Sequence, residues 1–373
     1  MASAAGAALC IVVCAAVAGC GGGGGGATPA LRPTSPPTAP PVTVTEYAVV
    51  PANNPAFGPS CPSGIASANG GIWFLDACGY PATEGRVDPT THAVMLYPAA
   101  LASPQPFVNC GSGLATGSDG GLWGTFGCGT TSNNLGAIAR FDPLTHAVLQ
   151  YPNTGSYACP TDIAAGPDGR MWFTLQCSNT GQPNSPGAIG AINQQTGAIS
   201  YYPLPTGLTC PSNAPFGMTL GPDGAMWFGI FTDGCTELGY LGRIVPSSGT
   251  ITTVPVPAGA YSCPYGLTTG SDHALWFTLA CDPGGIGRYD PAKGTFTEYA
   301  LPTQNTKPHG IVTGADGAVW FGEWAAGKIG RITTTGAVTE YPLLTQSYTG
   351  GFTLGPDGAV WFTELSGNVG RIK

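Results

Sequence analysis

Four side chains that could do acid–base or metal chemistry fall at matching points of a repeated sequence pattern. Most of the segment KPHGIVTGADGAVWFGEW recurs along the chain, but its His309 and Glu323 do not recur in this form. His309 stands eleven residues before Trp320, and Glu323 stands three residues after it. Glu364 and Asp76 occupy the position of Glu323 in two other repeats. Carboxylates grouped with a histidine can bind a divalent cation or exchange protons with a substrate.

Seven repeats must position these side chains, and each is marked by a tryptophan that follows a Gly-rich turn. The shared pattern is G-[IMLF]-x-x-G-x-D-G-x-x-W-F, with small variations, at steps of 41 to 55 residues. An Asp-Gly turn between two apolar runs is a strong hairpin signal. A period near this length with four strand-like segments is typical of one β-propeller blade. The tryptophans are Trp73, Trp123, Trp172, Trp227, Trp276, Trp320 and Trp361.

The two ends of the folded region complement each other. Each blade reads as four strands, which we label a to d from the channel outward. The chain ends in VGRIK, a strand c, and its folded part begins with VTVTEYAVV, a strand d. Residues 43–49 should therefore complete the last blade, which closes the ring and removes free sheet edges. The sequence predicts one all-β domain over residues 42–373, a seven-bladed β-propeller closed by this N-terminal strand.

Ring closure makes blades one, six and seven neighbours, and these blades carry the acids. Strand a starts and strand b ends at the same rim, so we expect His309, Glu323, Glu364 and Asp76 to gather in one sector of the channel mouth. His309 and Glu323 are the predicted catalytic pair. Glu323, Glu364 and Asp76 are the predicted ligands of Mg²⁺ or another divalent cation, since hard cations prefer oxygen ligands. No nucleophile elbow, phosphate loop or zinc motif accompanies them.

Other residues of the same rim predict a binding surface. Lys307, Trp324 and Tyr348 flank the sector, and Tyr265 and Phe216 take the ring position of the histidine in blades five and four. We expect these five residues to contact a small molecule, peptide or glycan at the channel mouth. The alternative is a solvated rim in which the acids pair with nearby lysines or with the arginines of the repeat.

The remaining histidines have a structural explanation. His92 and His146 stand where other repeats have Gly, and His273 replaces the Gly of an Asp-Gly turn. Turn positions that need a positive φ tolerate Asn, Asp and His better than most residues. We therefore assign these three to turns.

The composition suits short strands joined by tight turns. The chain has 59 Gly and 36 Pro, which weaken helices by about 1 and 3 kcal/mol per residue. Its net charge is −8, and its 12 Lys and Arg residues occur singly, without a basic patch. Nucleic-acid binding is therefore not expected. We expect a monomer.

The first 41 residues do not read as part of the fold. Residues 1–20 contain an apolar stretch too short to span a bilayer and end in VAGC, which resembles a bacterial lipobox with Cys20 as the lipidated residue. The Gly- and Pro-rich residues 21–41 read as a flexible tether. This predicts an exported, periplasmic or cell-surface lipoprotein, held at the membrane by its lipid anchor only. The alternatives are an ordinary secretion signal and a mis-assigned start codon.

Cysteine spacing predicts five disulfides in an oxidising compartment. Ten cysteines follow the N-terminal segment and fall into pairs 17 to 25 residues apart. Most pairs span from the start of strand a to the end of strand b, which a hairpin brings to the same rim. No CxxC spacing supports a metal–thiolate array instead. The predicted pairs are Cys61/Cys78, Cys110/Cys128, Cys159/Cys177, Cys210/Cys235 and Cys263/Cys281.

The repeat resembles that of a known family. Its pattern G-I-x-x-G-x-D-G-x-x-W-F-T-E, G-x-I-G-R-I-T and E-Y-P-L-P is similar to the streptogramin lyase (virginiamycin B lyase) family of seven-bladed propellers, over nearly all of residues 43–373. The resemblance implies a carbon–oxygen lyase that opens the ester ring of type B streptogramins by elimination. It also implies a divalent metal such as Mg²⁺, a proton-abstracting His and metal-binding acids at the channel mouth.

Only part of the site that this resemblance implies is present. One family His lies in a P-H motif, which His309 matches. The next family blade carries Glu-Pro-His, where residues 348–350 of this chain read YTG. Leu365 stands in place of a further Glu, and Glu364 lies one residue earlier. The partial match favours a non-catalytic recognition propeller at the cell envelope slightly over a lyase, and a purely structural envelope protein is a third interpretation.

Overall fold

A computed structural model of the protein describes the propeller region in eleven stretches. These are residues 42–49, 60–76, 83–98, 111–127, 136–153, 157–178, 187–206, 208, 213–232, 239–257 and 263–373. The predicted signal segment, the tether and Cys20 lie outside these ranges. Within them, no apolar helix of membrane-spanning length occurs.

The described residues form twenty-eight strands in seven antiparallel sheets of four strands. Blades one to six are β2–β5, β6–β9, β10–β13, β14–β17, β18–β21 and β22–β25, and blade seven is β26–β28 with β1. This confirms the predicted all-β, seven-bladed propeller. The strands are β1 (Val44–Ala48), β2 (Pro62–Ala68), β3 (Gly71–Asp76), β4 (Thr83–Val87), β5 (Val94–Pro98), β6 (Gly111–Thr116), β7 (Leu122–Phe126), β8 (Ala137–Phe141), β9 (Val148–Pro152), β10 (Tyr157–Ala165), β11 (Arg170–Ser178), β12 (Ala188–Asn193), β13 (Ile199–Pro203), β14 (Asn213–Leu220), β15 (Met226–Thr232), β16 (Tyr240–Ile244), β17 (Ile251–Pro255), β18 (Pro264–Thr269), β19 (Leu275–Leu279), β20 (Gly285–Asp290), β21 (Thr295–Ala300), β22 (Pro308–Thr313), β23 (Val319–Glu323), β24 (Lys328–Ile332), β25 (Val338–Pro342), β26 (Thr349–Leu354), β27 (Val360–Glu364) and β28 (Asn368–Ile372).

The ring closes through the N-terminal strand, as the sequence predicts. β1 pairs antiparallel with β28, from Val44 opposite Ile372 to Ala48 opposite Asn368. The Val49 N–H extends the pairing by donating to the Gly367 carbonyl at 2.9 Å. Strand a of each blade contacts strand a of the next, and the last of these contacts joins β26 to β2.

The recurring Asp, Trp and Arg residues form a corner that holds strands a, b and c together. In blade six, Trp320 Nε1 donates to Asp316 Oδ1 at 3.2 Å, and Arg331 Nε donates to Asp316 Oδ2 at 2.8 Å. The Arg331 guanidinium lies 5.6 Å from the centre of the Trp320 ring, and Tyr341 stacks on that ring at 5.7 Å. The periodic arginines therefore serve the fold.

Apolar side chains fill the space between neighbouring blades. The cluster at the ring closure joins Trp361 and Val369 of blade seven to Ile72, Phe74 and Val87 of blade one, and all five are buried. Each such side chain contributes about 1.5–3 kcal/mol when fully buried. The closure is therefore packed like the other blade interfaces.

Threonine hydroxyls connect strand a of one blade to strand a of the next. The Gly266 N–H donates to Thr278 Oγ1 at 2.8 Å, and the Thr278 hydroxyl donates to the His309 carbonyl at 2.9 Å. The same relay crosses the ring closure, where the Thr363 hydroxyl donates to the Ser63 carbonyl at 2.6 Å. These bonds fix the inner strands, and so the rim side chains, relative to one another.

The three turn histidines behave as the sequence predicts. His92, His146 and His273 have φ values of 61°, 58° and 57°. His92 also stacks on Tyr47 of the preceding blade at 4.9 Å, and His146 stacks on Tyr97 at 3.8 Å. They therefore support turns and blade interfaces.

One predicted disulfide is fully described. Cys263 and Cys281 are bonded, with Cα atoms 5.5 Å apart, and they bracket the β18–β19 hairpin. A loop of this length stabilises by about 3 kcal/mol in the chain-entropy view. Cys61 and Cys159 are also disulfide-bonded. The other cysteines of the predicted pairs, Cys78, Cys110, Cys128, Cys177, Cys210 and Cys235, lie outside the described side chains.

Candidate functional site

A bulge near the start of strand a occurs at the rim of every blade. The pairing of β22 with β23 shifts register between Pro308 and Ile311, and five other blades have the same shift. In blade four the shift comes later, between Phe216 and Met218. A bulge re-aims the side chains within it, which in blade six include His309. Gly266 permits the approach of the next blade, because a Cβ there would overlap the His309 carbonyl.

Five rings of the rim form one continuous stack across blades four to seven, which we call the aromatic ladder. Phe216 stacks on Tyr265 at 4.7 Å, and Tyr265 stacks on His309 at 4.4 Å. His309 stacks on Trp324 at 5.3 Å, and Trp324 stacks on Tyr348 at 4.3 Å. The interplanar angles are 28°, 15°, 25° and 19°, so the rings are close to parallel.

Solvent reaches the ladder along its edges and at one end. Phe216, Tyr265 and Trp324 are half-buried, and Tyr348 is 50% exposed. His309 is only 7% exposed. The four aromatic residues of the predicted binding set therefore lie in one surface, and the predicted catalytic histidine is its central ring.

The environment of His309 keeps its ring neutral. Burial, aided by the positive charge of Lys307, lowers the pKa of His309 to about 4. Its Nε2 is buried without a hydrogen-bond partner. A neutral imidazole can accept a proton through such a nitrogen, but a pKa this low makes it a weak base.

Glu323 is a buried carboxyl that is protonated at neutral pH. Its side chain is fully buried, and neither carboxyl oxygen has a hydrogen-bond partner. Burial, reinforced by the charge of Glu340, raises the pKa of Glu323 to about 8. Lys328, a possible partner in the sequence, instead binds Glu340 at 2.7 Å and Thr303 Oγ1 at 2.6 Å.

The other two predicted acids, Glu364 and Asp76, accept hydrogen bonds from residues near them. Glu364 Oε2 accepts from Thr345 Oγ1 at 2.8 Å and from Asn368 Nδ2 at 3.1 Å. Burial raises the pKa of Glu364, and the adjacent Glu46 raises it further. Asp76 is buried in blade one, and its Oδ1 accepts from the Cys61 N–H at 2.8 Å.

The carboxyl groups do not form one ligand set in the described structure. Among the described residues, no group of three or more His, Cys, Asp or Glu side chains is placed to hold a metal ion. Glu323, Glu364 and Asp76 instead each lie in separate surroundings in the described structure. The metal assignment therefore stays a prediction.

Sequence reasoning missed the acids of strand d. Glu340 and Glu46 occupy equivalent positions in blades six and seven, beside Glu323 and Glu364 respectively. The signal was the E-Y pair that recurs in the last strand of these blades and in blade five, at Glu298. Because strand d is the outer strand, the sequence pattern did not show that the glutamate side chains of this strand come close to the buried acids of strand b.

The fold and the site together define a class of protein. It is a seven-bladed β-propeller that has an aromatic ladder and buried acids at its channel mouth. Residues 65–244 and 235–372 match the virginiamycin B lyase family. The chain therefore belongs to the virginiamycin B lyase family.

Similar solved structures are consistent with this family assignment. One, described as a streptogramin B lyase, is 30% identical, with a TM-score of 0.70, and the match covers 89% of this chain and 97% of that one. Another is a catalytically inactive histidine-to-alanine variant of virginiamycin B lyase from Staphylococcus aureus with quinupristin. It is 28% identical, with a TM-score of 0.71 and coverage of 89% and 99%. A search of curated protein sequences finds no match.

Proposed function

We propose that this protein is an exported propeller that captures a ligand with a flat apolar face at the rim of blades four to seven. The observation that carries the proposal is the continuous aromatic ladder. Stacked aromatic pairs contribute about 0.5–1.5 kcal/mol each beyond their burial. The stack also holds its rings in place before a ligand arrives, so binding orders few side chains. Cyclic depsipeptides, peptides and glycans all carry faces of this kind.

A change at Trp324 tests the proposal. With 2-naphthamide as a neutral flat probe, Trp324→Ala should weaken binding at least fivefold, because it removes the ring between His309 and Tyr348. Trp324→Phe should stay within threefold of the wild type. Ligand-observed NMR titration measures both.

The control lies on the opposite side of the ring. Leu149 is 53% exposed on the outer strand of blade two, and Leu149→Ala should leave binding unchanged. Unaltered affinity in Trp324→Ala, with an unchanged melting temperature, would show that the ladder is not the binding surface.

A second candidate function is elimination at a cyclic ester, as in the family. Its support is the unpartnered, buried Nε2 of His309 and the unpartnered carboxyl of Glu323 in the same blade. His309 Nε2 would accept the proton from the carbon next to the ester-bearing carbon. The carbon–oxygen bond would then break, leaving an alkene and a carboxylate that keeps the electron pair, without water. The ring-opened product would therefore have the same mass as the substrate.

Chromatography with mass detection tests the elimination. A type B streptogramin incubated with residues 42–373 should give a product of the same mass and shifted retention, and His309→Ala should abolish it. A product heavier by one water would indicate hydrolysis instead. Turnover that persists in His309→Ala would remove His309 from the chemistry.

Export and lipid anchoring through Cys20 complete the proposal. The VAGC sequence and the disulfide-bonded Cys263 and Cys281 support it, because such bonds persist in oxidising compartments. Membrane fractionation of the full chain against a Cys20→Ala variant tests the anchor; equal release of both would contradict it.

A further inference from the structure

Lys307 differs from the other lysines and arginines of the described structure because its ammonium group forms neither a salt bridge nor a hydrogen bond with a described residue. Each of the seven arginines in the described ranges forms a salt bridge, as do Lys293 and Lys328. Lys373 donates to the Asp357 carbonyl. Lys307 forms no salt bridge with any described residue, although it is half-buried at the rim. Its charge is therefore available to a ligand.

The backbone gives no reason for a lysine at this position. Lys307 has a φ of 47°, in the left-handed region that favours Gly, Asn or Asp over a long side chain. The conformation is fixed from both sides, since the Thr306 carbonyl accepts from the Ala325 N–H at 2.8 Å and Pro308 begins β22. A lysine costs more here than a turn residue would, so the backbone conformation does not explain the lysine.

The half-buried and buried groups of blade six around the ladder leave a positive charge, although the sequence suggests an acidic sector. At neutral pH His309 is neutral and Glu323 is protonated, and Glu340 is neutralised by Lys328. Lys307 then remains. Asp282 lies in a turn of blade five. A hydrogen bond from the Asn305 N–H to the Pro283 carbonyl joins this turn to the segment that carries Lys307. Asp282 is exposed and forms no salt bridge with Lys307, so solvent screens it.

We propose that Lys307 and the aromatic ladder together bind an aromatic carboxylate, a ligand with an anionic group beside a planar apolar ring. This inference rests on the proposed function, because the ladder supplies the apolar contact. The carboxylate of the ligand lies against the Lys307 ammonium, beside His309, while its ring lies along the edges of Trp324 and Tyr348. The surface thereby discriminates against neutral and cationic rings of the same shape.

Paired probes separate the charge from the ring. 2-Naphthoate and 2-naphthamide have the same ring and differ in charge, so their affinities are measured side by side by NMR titration. The wild type should bind 2-naphthoate about tenfold more tightly at low salt, which corresponds to about 1.4 kcal/mol. Lys307→Met should remove this preference, while Lys307→Arg should keep it. Thermal unfolding of each variant verifies its fold.

Each other possible result of the titrations also decides for or against the inference. Equal binding of the two probes by the wild type, or a preference that survives Lys307→Met, overturns the inference and leaves the ladder proposal standing if Trp324→Ala still weakens binding. Absence of binding by both probes overturns the inference and the ladder proposal together. A preference abolished in Lys307→Met but retained in Lys307→Arg supports it.

Discussion

A chain lacking residues 1–49 is expected to lose most of its stability. The deletion removes the strand that pairs with β28 from Val44 to Ala48, and it leaves β28 as an open edge. It also removes the buried Val49 and the Tyr47 ring that stacks on Trp361 at 5.7 Å. Burial of two or three such side chains is worth about 5 kcal/mol, which is comparable to the whole stability of many domains.

The matched control removes only residues 1–41 and keeps the closing strand. Thermal unfolding followed by circular dichroism compares the two chains, and size-exclusion chromatography detects association through the open edge. The shorter deletion should melt like the full chain. Equal melting temperatures for both deletions would show that the closing strand contributes little.

Replacing Glu84 should stabilise the protein strongly at alkaline pH. Burial, and secondarily the charge of Asp142, raises the pKa of Glu84 to about 8. Its Oε1 has no hydrogen-bond partner. The unfolded chain releases this proton near pH 4.5 while the folded chain keeps it to about pH 8, so stability falls as pH rises through that window. At one pKa unit per 1.36 kcal/mol, the cost approaches about 4 kcal/mol at pH 8. The other blades carry an aliphatic residue at this position of strand c, namely Ile138, Ile189, Leu241, Ile286, Ile329 and Val369.

Urea denaturation at pH 5 and pH 8.5 measures the effect. Glu84→Gln should unfold at higher urea than the wild type at pH 8.5, and the difference should nearly vanish at pH 5. Glu298→Gln is the matched control, because Glu298 is less buried and its pKa is raised less far. A gain of the same size at both pH values would mean that ionisation of Glu84 is not the cause.

The repeat made the propeller predictable, because each structural role recurs with the sequence. Trp320, Asp316 and Arg331 meet as their equivalents do in blades two, four, five and seven, and the strand-d character of residues 43–49 predicted the closure. The rim positions of His309 and Glu323 also follow from the repeat. Periodicity places a residue on a blade and at a rim.

Periodicity could not predict what the rim residues contact. The stacking of His309 between Tyr265 and Trp324 depends on ring orientation across two blades, which no single repeat encodes. The protonation of Glu323 depends on burial and on Glu340, a residue 17 positions away in the outer strand. The predicted acidic sector therefore carries less negative charge than its number of acidic residues suggests.

The antiparallel pairing of β1 with β28 also determines how the ring resists mechanical force. The proposed tether would join the chain at the Val44 end of β1, which is paired with the Ile372 end of β28. A pull on the N-terminus along the strand therefore loads the hydrogen bonds between Val44 and Ala48 together, in shear, rather than opening them one after another. The stacking of Tyr47 on both Trp361 and His92 adds resistance to the same sliding motion. The strand that closes the propeller is thus placed to bear tension applied to the N-terminal side of the chain.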